Sequence, residues 1–78
     1  MTQPKRYNLF RGTLRDGGMN IEETLLSDFT LDLLFASSIP ANLFDTTIRV
    51  IKWLDGELGA TSAEFVLDDV SFIIAKTN

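Results

Sequence analysis

Any chemistry in this sequence would have to run on carboxylates. Asp68-Asp69 and Asp55-x-Glu57 are the closest acidic pairs. A hard cation needs about six converging oxygen ligands, usually from a longer loop with a glycine at its tight point. The stretch Asp55-Gly56-Glu57-Leu58-Gly59 is too short for that, and neighbouring carboxylates on one strand point to opposite faces. Both pairs read as solvated loop acids. Nucleophilic catalysis needs a hydroxyl beside a base. The chain has no histidine and no cysteine. That removes the commonest general base, the commonest transition-metal ligand, the thiolate nucleophile and any disulfide. Lys5, Lys52 and Lys76 fall in an N-terminal tail, on an outward helix face and near the C-terminus. None of these places would desolvate an ammonium and lower its pKa. Tyr7 is the lone phenol, and Asp16-Gly17-Gly18 lacks the Lys-Ser/Thr of a phosphate loop. The sequence therefore names no catalytic residue, no cofactor and no metal ligand, and the expectation is a protein that is not an enzyme.

The residues that stand out instead are those of a binding surface. Trp53 and Arg49 lie four apart, one turn from each other on a helix. Both residue types are enriched where interfaces carry their binding energy. Lys52 and Asp45 complete a polar surround, the usual setting of an anchoring aromatic. The competing reading packs Trp53 under the N-terminal segment as part of a small core. Trp53, Arg49, Lys52 and Asp45 are the candidate partner-binding residues.

Charge supplies a second signal. Lys5, Arg6, Arg11 and Arg15 occupy the first fifteen residues with no acid among them, while the net charge of the chain is −4. A basic arm on an acidic body can pair with the body of its own or a neighbouring subunit, or it can touch phosphate. Without interleaved basic residues along a helix the nucleic-acid footprint is weak.

These residues need elements to hold them. Pro4, Gly12, Gly17-Gly18, Pro40, Gly56 and Gly59 divide the 78 residues into four segments with no repeat and no linker. Lys5 to Arg15 reads as a strand ending in the Asp16-Gly17-Gly18 turn, with Gly12 marking a bulge. Asn20 with Glu23 resembles a helix cap, and Ile21, Leu25, Phe29 and Leu33 recur at helical spacing, which predicts a helix from about Ile21 into the low thirties. Strand-like alternation over Phe29 to Phe35 is the rival there. Ala41 to Asp55 is the clearest element. Leu43, Phe44, Thr47, Ile48, Val50, Ile51 and Leu54 gather on one helix face, with Pro40 at the entry and Gly56 at the exit. Thr61 to Lys76 is predicted as a strand from its β-branched and aromatic content, although Thr61 and Glu64 also fit a helix cap.

The expected fold is α+β, one domain over residues 1–78, with an N-terminal strand or hairpin, two helices and a C-terminal strand. The alternative is a mostly α three-helix domain with an N-terminal arm. So short a chain buries only about 60% of the surface it exposes unfolded, which favours self-association. The longest apolar runs are too short to span a bilayer and no signal peptide is legible, so cytoplasmic residence is the default. The expected function is a non-catalytic protein-binding module: a small regulator, inhibitor or assembly subunit whose partner is another protein or a second copy, as a homodimer. The alternative is a nucleic-acid-binding transcriptional regulator. It would use Leu34 to Leu54 as a helix-turn-helix-like segment and the basic N-terminal arm for phosphate contacts.

Overall fold

The computed structural model describes residues 4–77. Six elements follow one another: β1 (Arg6–Arg15), β2 (Gly18–Phe29), α1 (Leu31–Phe35), α2 (Ala41–Gly56), β3 (Ser62–Leu67) and β4 (Val70–Thr77). The strands form one antiparallel sheet in the order β2-β1-β4-β3. Two hairpins are thus joined through their inner strands, and both helices lie between them in sequence. The α+β class is as expected. The C-terminal strand is in fact a hairpin, and the mostly α alternative fails.

The first hairpin turns at Asp16-Gly17, with Arg15 paired to Gly18 and Gly17 at φ 88°, a conformation that suits glycine. The second turns at Asp68-Asp69, between Leu67 and Val70. Both aspartates take left-handed backbone, φ 52° and 64°. That pair of angles is what a two-residue hairpin loop needs, and aspartate tolerates it better than most residues.

The helix predicted from Ile21 is strand β2, followed by the short helix α1. The reason lies in the pairing of β1 with β2, where the register shifts between Tyr7 and Leu9, between Leu9 and Phe10, and between Arg11 and Gly12. Each shift leaves an extra residue on β2. A bulge turns the strand's spacing of two into a spacing of three, so the inward residues Leu25, Leu26 and Phe29 mimic a helical stripe. Asn20 is no cap, since it pairs with Thr13 in the sheet. The true helix cap is Thr30, whose Oγ1 accepts from the Leu33 amide at 3.4 Å. Gly12 sits at the last shift, where an added β-carbon would collide with the carbonyl oxygen of Asn20.

Helix α2 forms where predicted and buries Leu43, Thr47, Ile51 and Leu54. They meet Tyr7 and Leu9 of β1, Phe29 of β2, Leu34 of α1 and Ile74 of β4 in one core. Ile73 is fully buried as well, although it alternates with Ile74 and so faces away from the helices. Its cross-strand neighbours are Phe10 and Glu64. The Glu64 carboxylate accepts the Leu14 amide at 3.1 Å, so the far end of β1 reaches back over this side of the sheet.

Candidate functional site

All four residues singled out in the sequence lie on the outward side of α2. Asp45, Arg49, Lys52 and Trp53 are exposed, and Trp53 leaves 52% of its surface in solvent. The core placement of Trp53 is therefore not the one found. The 3.6-residue turn explains the position: Trp53 follows Arg49 by about one turn and lies roughly 100° from the buried Leu54. Arg49 and Trp53 line a groove of about 290 Å³ together with Val50 of the same helix and Ala63 and Glu64 of β3. Asp45 and Lys52 do not line it. The groove runs along the seam between α2 and β3, and β3 is an outer strand of the sheet. Val66 of that strand is 63% exposed. Sequence reasoning found the helical half of this surface. It missed Ala63, Glu64 and Val66, because only the sheet order brings β3 to the edge beside α2.

A second cavity, of about 260 Å³, opens at the C-terminal end of α2 between Lys5, Tyr7, Leu31, Asp32 and Asp55. Tyr7 is buried, and its Oη stands 2.9 and 3.0 Å from the two carboxylate oxygens of Asp55, to which it donates. Lys5 Nζ lies 3.6 Å from the same carboxylate. Burial first, then the hydrogen bond to Asp55 and its charge, push the phenol well above its ordinary range. A phenol held protonated, with its one donor already used, is neither a nucleophile nor a base at neutral pH. The trio joins β1 to the C-terminal end of α2. No local sequence pattern announces it, since Tyr7 and Asp55 lie 48 positions apart.

The basic arm is Lys5 and the inner strand β1, and most of its charge is spent within the chain. Besides the contact of Lys5, Arg6 lies 3.7 Å from Asp28, and Arg11 lies 3.8 Å from Glu22 and 3.5 Å from Glu23. One acid of each pair is engaged: Asp55 by Tyr7 and Lys5, and Asp68 by Asn42 Nδ2 at 3.1 Å, which fastens the second hairpin to the start of α2. Among the described residues no group of three or more Asp, Glu, His or Cys is arranged to hold a metal ion. Among them, too, no helix is long and apolar enough to cross a membrane. On α1, Leu31, Leu33 and Phe35 remain exposed, and Phe35 leans on Phe44 with ring centres 5.3 Å apart.

No family model, curated protein or solved structure matches the chain. Geometry alone must then carry the functional reading.

Proposed function

We propose that this protein is a non-catalytic protein-binding module, a small regulator, inhibitor or assembly subunit, and that it binds through the α2–β3 face. One observation carries the reading: a half-exposed tryptophan lines a groove beside an outer strand, with Arg49 as its charged rim. An apolar anchor within a polar rim is how protein interfaces are built. Asp45, one turn before Arg49, and Lys52, about 100° round the helix from Trp53, extend the polar surround on the solvent side. The absence of histidine and cysteine and the capture of Tyr7 by Asp55 favour binding over catalysis. The nucleic-acid reading is weaker. Three of the four basic residues of the N-terminal arm, Lys5, Arg6 and Arg11, are paired with acids of the same chain, and α1 has only five residues, short for the first helix of a groove-binding pair.

The test is Trp53→Ala, carried through stability and binding together. Half of the side chain is already in solvent, so the variant should lose only about 1 kcal/mol of stability, against roughly 3–5 for a fully buried tryptophan. The wild-type chain and the variant, each coupled to beads, are incubated with extract of the native host. A protein retained by wild type should be lost from the folded variant, since an anchoring aromatic contributes about 2 kcal/mol or more of affinity. Equal retention by both, or sub-micromolar binding of DNA or RNA at physiological salt, contradicts the reading.

A further inference from the structure

The sheet has two open edges, and they differ. The free edge of β2 is broken by three register shifts and carries Glu22, Glu23 and Asp28. Bulges and like charges are the devices that keep an edge from pairing with another copy of itself. Strand β3 has none of these devices. Its six residues, Ser62–Leu67, keep an unbroken register with β4, and they include no proline, no lysine and a single charge, Glu64. The strand is also the one that Trp53 overhangs.

The direction of its backbone groups follows from the turn. Leu67 and Val70 flank a two-residue loop and so exchange hydrogen bonds with each other. The Lys76 amide likewise donates to the Thr61 carbonyl at 2.8 Å, which gives the same phase six residues earlier. By alternation, Ala63, Phe65 and Leu67 bond to β4, while the amides and carbonyls of Glu64 and Val66 point outward to the open edge. The side chains divide in the same way. Ala63, Phe65 and Leu67 pack against the core under the helices, and Glu64 and Val66 lie on the other face.

Resting on the reading of the α2–β3 face as protein-binding, we infer that its partner is a second copy of this chain, joined through β3 about a two-fold axis into one eight-stranded antiparallel sheet. Two-fold pairing that keeps both sets of helices on one face must centre on a residue. Centred on Glu64, it would oppose two carboxylates. Centred on Phe65, it places Glu64 opposite the partner's Val66, where the outward backbone groups of each bond to the other. Phe65 then meets its own copy in the closely spaced, non-bonded position that favours aromatic contact. Trp53 of each protomer overhangs the seam. In this register no like charges oppose each other along β3, since its one carboxylate, Glu64, faces the partner's Val66, although the whole chain is acidic.

The register makes the test sharp. Val66→Glu sets a carboxylate against the partner's Glu64 and should weaken the dimer about tenfold or more. Val66→Lys sets an ammonium there and should leave the dimer intact or tighter. Val66 is exposed and bonds nothing with its side chain, so both variants should fold, which circular dichroism checks. Sedimentation equilibrium of wild type and both variants gives the masses. A wild-type dimer, lost in Val66→Glu and kept in Val66→Lys, is the expected result. A monomeric wild type, or a dimer lost in both variants or in neither, overturns the pairing. A monomeric wild type would leave the Trp53 face free for a different protein. A β3 dimer whose Trp53 stays fully open to acrylamide would instead contradict the role of Trp53 while keeping the pairing.

Discussion

Replacing Tyr7 with phenylalanine removes one oxygen from the fold, and the consequence should depend on pH in a defined sense. The Tyr7 hydroxyl is buried and donates to Asp55 at 2.9 Å. Hydrogen bonds to charged groups are worth about 1.5–3 kcal/mol. The Asp55 side chain keeps 27% of its surface in solvent, so water replaces part of the loss and Tyr7→Phe should cost about 1–2 kcal/mol at pH 7. Burial, the hydrogen bond and the Asp55 charge raise the phenol's pKa in the folded state. An unfolded tyrosine ionises near pH 10. The contribution of the raised pKa is therefore complete below about pH 10. Above it the unfolded chain releases a proton that the folded chain keeps, and stability falls by about 1 kcal/mol per pH unit. Tyr7 is the only tyrosine, so absorbance near 295 nm follows this one group. The phenolate signal should appear only as the fold is lost, with both transitions coinciding in an alkaline titration. Tyr7→Phe should start less stable and decline less steeply between about pH 10 and 12. A phenol that titrates near pH 10 while circular dichroism still reports the native fold would refute this account of the Tyr7–Asp55 contact.

Two further substitutions test the packing. Thr47 is fully buried, and among the described residues its hydroxyl has no hydrogen-bond partner. Thr47→Val should therefore stabilise by about 1 kcal/mol and raise the melting temperature by about 4–8 °C; an unchanged or lower midpoint would mean that the hydroxyl is satisfied. Gly12→Ala places a β-carbon against the backbone of Asn20, which cannot yield as a flexible side chain would. A loss of about 2 kcal/mol or more is expected in chemical denaturation, and a neutral result would refute the close approach of β1 and β2.

What the sequence discloses of this fold depends on whether a contact is local. Helix α2 is legible because its apolar residues, Leu43 to Leu54, share one face, and Pro40 and Gly56 mark its ends. The turn at Asp16-Gly17 is legible because glycine advertises it. Strand β2 is not, since its bulges copy the spacing of a helix. The turn that splits the last segment is hidden for a different reason. Asp68 and Asp69 adopt left-handed backbone without a glycine to announce it, so two strands read as one. The same division holds for the candidate site. Helix geometry alone sets Trp53 beside Arg49 and outside the buried stripe. Their neighbours Ala63 and Glu64 arrive through the sheet order, which no local pattern encodes. The basic residues of the N-terminal arm mislead because their acidic partners, Asp55 for Lys5 and Asp28 for Arg6, are distant in sequence.

The most direct test of the α2–β3 face uses the single tryptophan as its own probe. Acrylamide quenching and emission wavelength of Trp53 are measured on the wild-type chain across a dilution series, with sedimentation following the mass at each concentration. The account predicts red-shifted, readily quenched emission at low concentration, as suits a residue 52% exposed in the single chain. Emission should then shift to the blue, with protection from acrylamide, as the dimer forms. Quenching and wavelength that stay constant while the mass doubles would contradict it.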